Sequence, residues 1–177
     1  MRAFVAVEVP APSGVSSRTH APEHLTLLFL GEIAPTRVGP IVEALTPVGA
    51  SFVPFDATLE GVGAFPSSER PRVVWVGMTD GAPELTRLAN RVRESLPGEG
   101  EATRRESFAP HLTLFRVRSA VDRRQAEELL SGVIPPPPPR SFRVHEFVLK
   151  ESILSARGAT HRTLATFPLS GVPPPPA

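Results

Sequence analysis

Pro22-Glu23-His24-Leu25-Thr26-Leu27-Leu28-Phe29-Leu30-Gly31 and Ala109-Pro110-His111-Leu112-Thr113-Leu114-Phe115-Arg116-Val117 carry one phrase, His-Leu-Thr-Leu, twice. Each copy is apolar, follows a proline and has the length of a strand. Residues two apart in a strand share a face, so each His points with its Thr while the two Leu point the other way. Polar side chains on strands this apolar are costly unless something pairs with them. One such strand is an ordinary packing accident; two identical ones point to a site built from both. The phrases lie about half a chain length apart. That is the layout of two related α+β lobes, each giving one His strand to a shared groove.

Composition narrows the class. With 177 residues, 41% hydrophobic and 21% charged, the chain fits one domain (residues 1–177) with a real core. A net charge of +1 selects no partner, but of the 19 basic residues only Lys150 is lysine. Arginine suits bidentate phosphate contact; the alternative reading, preferred for most of these arginines, is biased codon usage. Cys is absent, which excludes disulfides, thiolate metal sites and cysteine nucleophiles. No stretch approaches the roughly 18–20 apolar residues of a membrane span, and Met1–Glu8 is too short for a signal peptide. A cytoplasmic monomer is the default expectation.

In chain order, Ala3–Val9 reads as a strand covered on both faces, and residues 10–22 as a Pro-rich loop. The first His strand follows. Helical spacing then spans Thr36–Leu45, with Pro40 tolerable only in the first turn. Phe52–Val62 and Arg72–Met78 read as strands, joined by a loop around Pro66 and Ser67. A clear helix starts at Pro83 and stops at Pro97-Gly98. After the second His strand, Ser119-x-x-Asp122 opens another helix. Pro135–Pro139 reads as a stiff extended spacer, Phe142–Lys150 and Arg162–Leu169 as strands, and residues 171–177 as a flexible tail. His20 and His145 read as surface residues, and His161 as a solvated strand residue, the alternative being a third imidazole near the His strands.

Histidine ionises near neutral pH, so a pair can hold one base and one acid together. A Thr roughly 6–7 Å along each strand can donate its hydroxyl to a phosphate oxygen. Two such pairs facing each other suit in-line displacement at phosphorus with neither metal nor cofactor. A metal site would need a third ligand at sensible spacing, and neither phrase has one nearby. Glu23 is adjacent in sequence but belongs on the face opposite His24.

At this level of detail the chain resembles the two-histidine (2H) phosphoesterases, and within them the RNA 2′,3′-cyclic phosphodiesterases also known as 2′-5′ RNA ligases. The resemblance rests on the doubled motif, on Arg2-Ala3-Phe4-Val5-Ala6-Val7, and on Leu149-Lys150-Glu151-Ser152 through Gly158-Ala159 to Phe167-Pro168-Leu169. It implies a bilobal, pseudo-symmetric α+β fold, with two antiparallel sheets lining a central cleft and helices outside. It also implies hydrolysis of RNA 2′,3′-cyclic phosphate ends, or of small cyclic nucleotides, to 2′-phosphates. In that scheme His24 is the general acid, His111 the general base, Thr26, Thr113 and Arg116 hold the phosphate, and Phe29 stacks on the nucleobase. Parity objects to two of these roles: Phe29 and Arg116 each lie five positions after their His and would face away in a regular strand. Either the strands bulge there or the roles are wrong, with Phe29 then plain core. Two departures stand out. Residues 10–22 are too few for the family's usual helix, and His161 stands where tyrosine is common in a chain with no Tyr. The competing functions are 2′-5′ ligation to a 5′-hydroxyl end and a non-catalytic RNA-end binding module whose footprint would include Arg104, Arg105 and Arg116.

Overall fold

A computed structural model describes residues 1–11, 23–98, 108–155 and 158–172. The chain runs β1 (Arg2–Glu8), β2 (His24–Glu32), a 3-10 turn (Pro35–Arg37) leading into α1 (Val38–Ser51), β3 (Phe55–Phe65), β4 (Val73–Met78) and α2 (Ala82–Ser95). It continues with β5 (Leu112–Arg116), α3 (Ala120–Leu130), β6 (Arg140–Val144), β7 (Glu146–Ser155) and β8 (Gly158–Pro168). Residues 12–22, with His20, and 99–107, with Arg104 and Arg105, lie outside the described residues, as do 173–177 of the tail.

The strands form an antiparallel sheet in the order β6-β3-β4-β5-β2-β1-β7-β8. β1 is central to its half and is buried from Ala3 to Val7, as expected of an apolar run with neighbours on both edges and both faces. The two sheets expected from the sequence are the four-stranded halves of this order. They meet where β2 runs beside β5, at the ladder pair Leu25–Leu112. One face of the sheet carries the main core. There Val5, Val7, Leu25, Leu27 and Leu149 pack with Ile41 and Leu45 of α1 and Leu85, Leu88 and Val92 of α2. α3 covers a smaller cluster by setting Ala126 and Leu129 against Val74.

Local sequence explains the helix ends. Pro40 falls in the first turn of α1, where no intrahelical donor is lost. α1 nevertheless runs to Ser51, beyond the expected end at Leu45, because Val48 and Gly49 continue its buried stripe and Gly49 lets Pro168 approach closely. A capping box opens α3: the Asp122 N–H donates to Ser119 Oγ at 3.1 Å, and the Ser119 N–H donates to Asp122 Oδ2 at 2.9 Å. The expected strand Phe142–Lys150 is two strands. β6 pairs with β3 at one end of the sheet and β7 with β1 and β8 in the other half, so the exposed His145 between them is where the chain changes halves. Residues 135–139 are exposed and without regular secondary structure.

Two stability tests follow. Leu25→Ala empties a fully buried place at the seam and should lower the unfolding free energy by about 2–5 kcal/mol. Ser119→Ala should cost only about 1 kcal/mol. Urea titrations of both variants, followed by circular dichroism, check the order; equal losses would remove the seam's special weight.

Candidate active site

The seam sets the geometry. Leu25 and Leu112 face each other and are buried. That pair is the whole ladder and β5 starts at Leu112; continuing its antiparallel register by one step to either side puts His24 opposite Thr113 and Thr26 opposite His111. All four belong to the face away from the leucines, opposite the one that α1 and α2 cover. Directly opposed residues have Cβ atoms about 4.5–5.5 Å apart and diagonal ones about 7–8 Å. His24 and His111 occupy the diagonal, so their rings can reach one phosphate-sized group from two sides.

The register also answers the parity objection. Against β1, Thr26 lies opposite Ala6 but Leu28 lies opposite Val5, leaving Leu27 as an extra residue. Against β4, Thr113 lies opposite Trp75 but Phe115 lies opposite Val74, leaving Leu114 as an extra residue. Both strands therefore bulge at the same place, at the fourth residue of the repeated phrase. A bulge advances the alternation by one, which brings Phe29 and Arg116 back to the face of their histidines. Phe29 is 51% exposed on that face, too open for a core residue, and its ring lies 6.1 Å from Phe4. Arg116 is exposed beside Val73.

Each imidazole has aromatic company. The His24 ring centre is 4.9 Å from Phe4 and 4.9 Å from His161. His111 is 5.0 Å from Phe65, edge to face, and 6.2 Å from Trp75. Its Nδ1 lies 2.7 Å from the Ala109 carbonyl oxygen. A carbonyl only accepts, so Nδ1 carries the hydrogen and the neutral ring keeps its lone pair on Nε2. That is the tautomer a general base needs. Glu23 ion-pairs with Arg140 of β6.

For His161 the structure takes the lesser of two readings, and two aromatic residues were not foreseen. His161, read first as a solvated strand residue, packs instead beside His24: β8 brings its ring 5.0 Å from Phe4, with Nδ1 buried and without a hydrogen-bond partner. Burial holds its pKa below the usual histidine value, helped by the charges of His24 and Lys150. Lys150, 2% exposed, ion-pairs with Glu8 and donates to Thr163 Oγ1 at 3.2 Å. Trp75 and Phe65 were also missed. Their signal lay in Gly63 and Gly77: a Cβ at Gly63 would stand 2.3 Å from the Trp75 ring, so the glycine clears the seat on which the indole lies.

The α+β fold, with one His-x-Thr phrase in each half of its antiparallel sheet, is of the two-histidine phosphoesterase class. By sequence the chain belongs to the 2′-5′ RNA ligase superfamily, whose model matches residues 9–152. Among similar proteins, the RNA 2′,3′-cyclic phosphodiesterase of Archaeoglobus fulgidus is 40% identical, covering 94% of this chain and 99% of its own. The one from Aeropyrum pernix is 37% identical over 87% of each. Escherichia coli LigT, solved with 3′-AMP, superposes with a TM-score of 0.70 at 26% identity, covering 96% of this chain and 98% of its own. That likeness extends the α+β class across the whole fold.

Two measurements probe the site. Trp75 is the only tryptophan, so Gly63→Ala, which must move the indole, should shift its fluorescence emission while His24→Ala should not. His161 bears on acid stability. Because its folded pKa is lowered, the unfolded chain binds more protons between that value and the ordinary one, and stability falls as pH drops through the window. His161→Phe should therefore lose less stability than wild type between about pH 7 and 5, read from urea midpoints; parallel losses would contradict it.

Proposed function

We propose that this protein is a metal-independent RNA 2′,3′-cyclic phosphodiesterase acting as a cytoplasmic monomer. The observation that carries the reading is the diagonal of His24 and His111 across the Leu25–Leu112 pair, with Thr26 and Thr113 on the other diagonal. Nε2 of His111 takes a proton from water as its oxygen bonds to phosphorus. The P–O3′ bond breaks on the far side, and His24 gives its proton to O3′, because an alkoxide leaves poorly without one. The product is a 2′-phosphate. The histidines end with their protonation states exchanged, and solvent resets them.

Around that reaction the Thr26 and Thr113 hydroxyls donate to the nonbridging oxygens. Arg116 meets the charge that develops on them, as a fixed donor aimed at the transition state does. Phe29 offers its open face to the nucleobase next to the cyclic phosphate. The family model and the relatives' names support the choice of RNA cyclic phosphate ends over other phosphodiesters. A 5′-hydroxyl in the water's place would give a 2′-5′ linkage at the same site.

The test is direct. His24→Ala and His111→Ala should each lower kcat on a 2′,3′-cyclic nucleotide at least about a hundredfold, with unchanged circular dichroism. Near-full activity in either variant refutes the assignment. Thr26→Val and Thr113→Val should lose less, with a rise in KM.

A further inference from the structure

Three rings meet at one lip of the cleft. His24, Phe4 and His161 lie pairwise within about 5 Å, with His161 standing edge-on to both others at 83° and 75°. They come from β2, β1 and β8, so nothing local in the sequence forces the encounter. Phe4 is 3% exposed and cannot yield. His24 is therefore held between a fixed phenyl ring and a second imidazole.

Two imidazoles this close resist carrying a charge each. The surroundings decide which one yields. On the same face β7 contributes the Lys150 ammonium and β1 contributes Glu8, its ion-pair partner. Thr163 of β8, two residues beyond His161, accepts from Lys150. Farther along, Arg2 of β1 and Glu32 of β2 approach each other at 3.9 Å. Glu8 lies opposite His24 in the ladder, whereas the nearest acidic residue across from β8 at this level, Glu151, is on the other face and paired with Arg162. The carboxylate thus sits by His24 and the cation weighs on His161. With Nδ1 already buried and unpartnered, a proton on His161 would add a charge where nothing accepts from it.

We propose that His161 is the positioning residue of His24, clamping its imidazole against Phe4 and ceding to it the one proton the two rings hold. The inference rests on His24 being the general acid: an acid must be aimed and must hold its proton, and His161 does the first by contact and leaves the second undisturbed by staying neutral.

The test combines NMR titration with kinetics on the full chain. The midpoint of the His161 ring signals should lie below that of a free histidine. It should rise in His24→Phe, and rise again when Glu8→Gln and Lys150→Met remove the neighbouring ion pair together. His161→Ala should lower kcat at least about tenfold, as a misaimed group does, with KM changed less than threefold. His161→Phe, which keeps the clamp, should recover most of kcat. A His161 midpoint indifferent to His24→Phe, or full kcat in His161→Ala, overturns the proposal. If wild type fails to cleave cyclic phosphate while the midpoint still moves, the functional reading falls and the coupling of the rings stands.

Discussion

One pair of leucines holds the arrangement together. Leu25 and Leu112 are where two four-stranded half-sheets join, and their burial commits the residues on either side of each to the opposite face. A slip of one residue in either strand would turn that strand's His and Thr into the core and its leucines out to the opposite face. The register is therefore tied to the hydrophobic effect, and the polar site inherits the precision of an apolar contact. This is how a small protein without disulfides fixes groups from distant parts of its chain.

The bulges add the second constraint. Strict alternation gives each lip a His and a Thr and nothing more. The extra residue at Leu27 and at Leu114 brings a third side chain to the same face, and the two lips use that place differently. One presents Phe29, open to solvent; the other presents Arg116. A symmetric frame thus carries an asymmetric load, an aromatic surface on one side and a cation on the other.

Much of this was legible in the residues. The repeated phrase, the proline before each copy and the 3.6-residue stripes of α1 and α2 are local signals, and Ser119-x-x-Asp122 marked its helix start closely. What escaped depends on contacts between distant segments. His161 looks like any polar residue on a hairpin strand until β8 is laid beside β7 and β1, which brings its ring to His24. The break at His145 is invisible locally, because Val144 and Glu146 keep a strand-like pattern across it. Only the need for β6 and β7 to join different halves of the sheet interrupts them. Trp75 was hidden for a related reason: its seat is a glycine on β3, the neighbouring strand.

Two histidines working from opposite sides of one phosphorus atom should need no other catalyst and should favour one leaving oxygen. Incubating the protein with a 2′,3′-cyclic mononucleotide in excess EDTA, and separating the product isomers by chromatography, examines both points at once. Formation of the 2′-phosphate at an undiminished rate is the expected result. A 3′-phosphate product, or loss of turnover in EDTA, would contradict it.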